Sequence, residues 1–175
     1  MNMQNLRAIH PDADEAIIDR LNELLATALF FEDLYKRYHW LVTGPHFLPL
    51  HTLFDDHMET LENEIDDMGE RIRVLDGDPV WNPAVFAEEK LLPDPDESIT
   101  DDLLIAHEAF QMEVTYADEL RKAANEFEDD LATQDLIVEY LRIHEKQAWF
   151  LREFIRKVNI DDYDEEIFET NGSTS

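Results

Sequence analysis

Apolar side chains recur at helical spacing over four long stretches of the chain. In the first, about Asp12 to Leu41, Ile17, Ile18, Leu21, Leu24, Leu25, Ala28, Leu29, Phe31 and Leu34 follow the i, i+3, i+4 rule. It ends before Gly44 and Pro45, which break a helix. The second, from near Pro49 to about Leu75, carries the stripe Leu50, Leu53, Phe54, Met58, Leu61, Ile65, Met68 and Ile72, and the run DGDP (Asp76 to Pro79) stops it. In the connection that follows, NPAVFAEEK predicts a short helix with Asn82 as its cap and Pro83 at its first position. The third long helix is expected from about Ser98, with the Ser98 hydroxyl as cap and Asp101 three residues on as in a capping box, to about Phe127. The fourth is expected from about Leu131 to Val158.

Helices of ~27–30 residues make rods of ~40 Å at the standard rise. A short loop joins the first two, so they lie antiparallel, whereas the link from the second to the third is long enough to cross the end of a bundle. The expected fold is all-α: a four-helix bundle over residues 12–158 with a short helix in the crossover between helices two and three. Residues 1–11 form an N-terminal arm and 159–175 an acidic C-terminal tail. Four Gly and seven Pro in 175 residues, clustered at the predicted connections, suit this better than a many-turn β fold.

Charge narrows the partners. With 42 acidic residues against 14 basic ones, the formal net charge is −28. Such a surface repels nucleic acid and anionic membranes, and it attracts cations. Adaptation to high salt or for solubility explains the acidity equally well. No cysteine is present, which excludes disulfides and thiolate metal sites. No stretch approaches the ~18 apolar residues of a membrane span, and no apolar signal core opens the sequence, so a soluble, cytoplasmic protein is expected.

The histidines carry the candidate chemistry. Four of the seven, His39, His46, His51 and His57, fall within twenty residues. On helix two, His51 and Asp55 are four apart, as are Asp66 and Glu70, so each pair shares a face and can grip one ion. His39, near the end of helix one, lies across the short loop from His51. Imidazole with carboxylate suits iron, zinc or manganese. Each feature also has a plain reading: solvated surface for Asp66 and Glu70, a hydrogen-bonded pair for His51 and Asp55, and a contact with the helix dipole for His39. No E-x-x-H occurs, so the usual di-iron motif inside a bundle is absent. From His51 to Asp66 is roughly 22 Å of helix, while a metal–ligand bond is about 2 Å. The two groups can therefore meet only between subunits, if two copies of helix two pack antiparallel about a two-fold axis.

The stretch YHWLVTGPHFLPLHTLFDDHMETLENEIDDMGERIRVLDGDP strongly resembles the signature of the Dps family, ferritin-like mini-cages, and HEKQAWFLREF resembles that family's last helix. The similarity runs over about residues 12 to 158. It implies a ferritin-like bundle in a hollow homododecamer. It also implies ferroxidase ligands His39, His51 and Asp55 from one subunit with Asp66 and Glu70 from another, and Trp40 beside the site. It implies that Fe²⁺ is oxidised, preferably by hydrogen peroxide and otherwise by oxygen, and that the Fe³⁺ is stored as mineral. Zinc can occupy the same site, and a metal-buffering cage that turns over little iron is the alternative. In the family, acidic pores near the start of the last helix admit iron; here Asp129, Asp130 and Asp135 are the candidates, with a solvated helix start as the plain reading. A DNA-compacting role is opposed by the single Arg7 in the arm and a tail without bases, so no DNA binding is expected. His46 is expected to hydrogen-bond within its loop. His57 should stand beside the site or on the surface, and His144 should pack or form a surface pair. His10 and His107 carry no assignment.

Overall fold

A computed structural model describes Ile9 and residues 14–156. Its helices are α1 (Glu15–Leu41), α2 (Phe47–Val74), α3 (Pro83–Glu89), α4 (Asp102–Glu126) and α5 (Leu131–Ile155), with a single 3₁₀ turn at Gly44–His46. No strand occurs among the described residues. α1 packs along α2 and α4 along α5, and α3 lies against α1 in the crossover, giving the expected four-helix bundle. Apart from Ile9, the arm lies outside the described residues, as do the tail and Val158.

The ends of the helices differ from the sequence expectation in instructive ways. α1 begins at Glu15, where Asp14 accepts a bond from the amide of Ala16 at 3.0 Å. α2 begins two residues before Pro49: a proline at the third helical position is harmless, because the first four amides of a helix have no partner within it. α4 is capped by Asp101 and not by Ser98. The Asp101 carboxylate accepts from the amides of Leu103 and Leu104 at 2.9 and 3.2 Å. Ser98 is taken by a tight turn in which its hydroxyl donates to Asp96 at 2.6 Å. A carboxylate facing two free amides and the positive end of the dipole outcompetes a hydroxyl. α2 ends in a Schellman turn: the Gly77 amide donates to the Ile72 carbonyl at 2.9 Å and that of Asp76 to Arg73 at 3.1 Å.

Leu21, Leu24, Phe31, Phe54, Leu61, Met68, Leu120 and Ile137 fill the bundle interior without exposure. At its centre is a polar chain. His144 of α5 stands between two carboxylates, its Nδ1 2.7 Å from Glu113 of α4 and its Nε2 2.8 Å from Glu64 of α2. All three residues are fully buried. Both ring nitrogens face carboxylate oxygens, so both carry protons and the ring is an imidazolium. Burial alone would lower its pKa; Glu113 and Glu64 outweigh that and hold it up to about 10. The remaining oxygens are also satisfied: Tyr116 donates to Glu64 at 2.6 Å, and Tyr35 of α1 donates to Glu113. His144 therefore forms a pair, but at the core and not at the surface.

His57 is likewise a core residue, 2% exposed, with its Nδ1 2.9 Å from the Tyr35 oxygen and its ring edge-on to that of Tyr35. Lying about 120° around the helix from His51, it is turned inward and away from the His51 face.

The His144 pairing predicts a sign for the stability profile. Its folded pKa of about 10 exceeds the ordinary value of 6.5, so its stabilisation is present below that value and fades as pH rises to the folded one. His144→Gln should lower stability near pH 7 by about 3–5 kcal/mol, because both buried carboxylates lose their counter-charge. It should also flatten the urea midpoint between pH 7 and pH 10 relative to the unmodified chain. Parallel midpoints would exclude the imidazolium.

Candidate metal centre

The loop from Val42 to His46 brings the end of α1 back onto the start of α2. Gly44 sits at φ +71°, a left-handed conformation that L side chains adopt at a cost. Across the turn the rings of His39 and His51 stack, 3.6 Å between centroids. The Nδ1 of each ring donates to the other's backbone carbonyl, 3.1 Å from His39 to His51 and 2.9 Å in return. His39 Nδ1 also lies 3.1 Å from Asp55 Oδ1. With Nδ1–H committed on both rings, Nε2 carries the lone pair on each, the tautomer a metal-binding imidazole needs. Ligand atoms of His39, His51 and Asp55 all fall within 4.8 Å of one another, and no other such group of three occurs among the described residues. His39 is 8% exposed, and Asp55 opens to solvent.

Asp66 and Glu70 do not join this group. Both are exposed farther along α2, at the edge of an apolar groove formed by Leu25, Leu29, Ile65, Gly69, Val80 and Trp81. The histidine end has apolar surface of its own: Trp40, Phe47 and Leu48 are 71%, 42% and 67% exposed. Trp40 is thus not a core anchor; it stands in solvent with the Lys36 ammonium 6.0 Å from its ring centre. Each half of the candidate site is incomplete, and each is bordered by hydrophobic side chains that a lone chain leaves wet.

The pore candidates divide. Asp129 and Asp135 are exposed, but Asp130 is not free to face a channel. It caps α5 through Thr133, and the Arg71 guanidinium donates to both of its oxygens at 2.9 Å. Burial works against its charge, yet the bonds from Thr133 and Arg71 hold its carboxyl below the usual range. Arg71, directly after Glu70, thereby ties the end of α2 to the start of α5. His46 reaches from its loop to Asp102 at the start of α4, 2.8 Å away. His107 contacts only Gln111 of its own helix, at 3.2 Å. Glu64 and Glu113 were invisible as a buried pair, because nothing local separates them from the other acids of their helices.

The ferritin-like domain family matches residues 18–160. The DNA protection during starvation protein of Mycolicibacterium smegmatis is 31% identical over 143 residues, covering 78% of this chain and 75% of that one. The chain belongs to the Dps family. Among solved structures, DpsC from Streptomyces coelicolor is 35% identical with a TM-score of 0.74, covering 79% of this chain and 83% of its own. Dps from Thermosynechococcus elongatus is 29% identical with a TM-score of 0.79, covering 87% and 98%. In this Dps chain no described helix is long and apolar enough to cross a membrane.

Gly44→Ala should cost about 1 kcal/mol, read as a lower urea midpoint. An added Cβ meets nothing within 4 Å, so only backbone strain is measured; an unchanged midpoint would exclude the left-handed turn.

Proposed function

We propose that the chain is a ferroxidase and iron-storing mini-ferritin whose copies close into a dodecameric shell and protect against oxidative stress. Two Fe²⁺ bind where His39, His51 and Asp55 of one copy face Asp66 and Glu70 of a second across a two-fold axis. The observation that supports this reading is that His51 and Asp55 near one end of α2 gather with His39 of α1, while Asp66 and Glu70 stand exposed near the other end, each group bordered by exposed apolar surface. Antiparallel pairing of two α2 helices covers both surfaces and builds two identical sites.

The chemistry follows from the donor set. Two neutral imidazoles and one carboxylate offset only part of the charge of two divalent ions. The partner's two carboxylates raise the total to three negative charges and add the hard oxygens that Fe³⁺ prefers. Each Fe²⁺ gives one electron. Hydrogen peroxide accepts both, its O–O bond breaks, and with two protons it leaves as two waters, so hydroxyl radical is avoided. A net charge of −28 per chain concentrates Fe²⁺ at the surface, and Asp129 and Asp135 supply free carboxylates near the start of α5 for its entry. The same charge disfavours DNA.

His51→Ala and Asp66→Ala should each slow peroxide-driven iron oxidation by roughly tenfold or more, about 1.4 kcal/mol per tenfold. Shells co-assembled from the two variants should recover activity, because a His51→Ala copy still offers its carboxylates and an Asp66→Ala copy its histidines. No recovery would rule out a site shared between copies, and full rates in both single variants would rule out the ligands. In a low-salt mobility-shift assay plasmid DNA should migrate freely; retardation would overturn the exclusion of DNA.

A further inference from the structure

All four tyrosines among the described residues donate to a carboxylate. Tyr35 bonds Glu113, Tyr38 bonds Glu108 at 2.7 Å, Tyr116 bonds Glu64 at 2.6 Å and Tyr140 bonds Asp67. Tyr35, Tyr38 and Tyr116 have no exposure. For Tyr35 and Tyr116, burial above all, and then the adjoining carboxylates, push the pKa up, so these phenols keep their protons. A phenol gives up an electron readily only if its proton leaves at the same time, and a hydrogen-bonded carboxylate is a ready acceptor. Three of these rings also form a line. Tyr38, which directly precedes His39, lies 6.2 Å from Tyr35, Tyr35 stacks on Phe31 at 4.6 Å, and Phe31 lies 6.1 Å from Tyr116.

The charge at the end of that line is unusual. Glu64 and Glu113 contribute two negative charges and the His144 imidazolium one positive charge, which leaves one net negative charge in a fully buried cluster. His57 does not cancel it. The single Tyr35 proton goes to Glu113, so His57 Nδ1 must be the donor to the Tyr35 oxygen. His57 Nε2 then has no hydrogen-bond partner, so no acceptor beside it holds a second proton on the ring. An uncompensated buried charge is costly. Removing one electron from this region brings it to neutrality.

We propose that Tyr35 and Tyr116, on either side of the Glu113–His144–Glu64 chain and reached through Tyr38, supply the second electron to peroxide when only one Fe²⁺ occupies a site. This rests on the ferroxidase reading above. The lone Fe²⁺ gives one electron and becomes Fe³⁺. Tyr35 gives the other through Tyr38, and its phenolic proton moves to Glu113. Peroxide takes both electrons and two protons from water at the site, its O–O bond breaks, and two waters form. The neutral tyrosyl radical waits in the core until a further Fe²⁺ arrives. That ion returns the electron, is oxidised to Fe³⁺, and the Glu113 proton goes back to the phenol. Half-filled sites then release no hydroxyl radical.

The test uses the full chain in its assembled form, freed of metal, loaded with one Fe²⁺ per site and mixed with one equivalent of hydrogen peroxide. Rapid-freeze electron paramagnetic resonance, a hydroxyl-radical spin trap and the absorbance of oxidised iron are read in parallel. An organic radical is expected, narrowed by ring-deuterated tyrosine. It should be lost in the Tyr35→Phe/Tyr116→Phe double variant, which should instead release trapped hydroxyl radical. Tyr38→Phe leaves the Glu113 and Glu64 bonds in place and should give the same loss, which covers the case in which the double variant fails to assemble. Iron oxidation without a tyrosine radical, a radical unaffected by deuterated tyrosine, or a radical that survives Tyr38→Phe would overturn the inference and leave the ferroxidase reading standing. Absence of iron oxidation altogether would overturn both.

Discussion

A bond between a metal ion and its ligand is about 2 Å long, and a helix of the length of α2 does not fold back on itself. Those two facts govern the rest. The candidate ligands at the two ends of α2 are separated by helical rise alone, so one chain can present two halves of a site but never a whole one. On the proposed reading, chemistry on this rod takes a second copy, and the apolar groove beside Asp66 and Glu70 and the exposed Trp40, Phe47 and Leu48 are where a second copy would bury area. Oligomerisation and metal binding are then, in the proposed site, one problem met on one helix.

The bundle interior obeys a different constraint. It holds charge where hydrocarbon would be cheaper, and it tolerates that only because every oxygen of Glu64 and Glu113 has a donor. Four helices contribute to the network, so the polar chain fixes their register against one another more narrowly than packed leucines do. With the proposed electron donation from Tyr35 and Tyr116, stability and oxidation chemistry draw on the same residues. A substitution such as Glu113→Gln, innocuous on most helices, disturbs both at once.

Much of this was readable from the chain itself. Periodicity gave the four long helices, and the Asn82–Pro83 cap pattern gave the short one in the crossover; the spacing of His51 and Asp66 is the basis of the proposed shared site. The failures have physical causes. Ser98 and Asp101 both satisfy a capping pattern, and only the competing Asp96 turn decides between them. His57 and His144 look like surplus histidines, because their partners lie far away in sequence: Tyr35 is 22 positions from His57, and Glu113 and Glu64 are 31 and 80 from His144. Asp130 looks like one acid in a run of acids until Arg71, 59 residues away, claims it. Local pattern reveals elements and their faces; it does not reveal which buried polar groups find one another.

The crossed bonds between His39 and His51 carry a further implication for how such a chain can vary. Each ring reads the backbone of the other across a span of 12 positions. The intervening segment thus acts as a ruler: the crossed bonds hold its residue count, and of its letters Gly44 is held by the left-handed turn. One residue more or fewer between Phe47 and His51 would rotate His51 and the rest of α2 by about 100° relative to the start of that helix, parting both rings from their carbonyls and Asp55 from His39 together. Between these two histidines, the number of residues is itself a structural constraint.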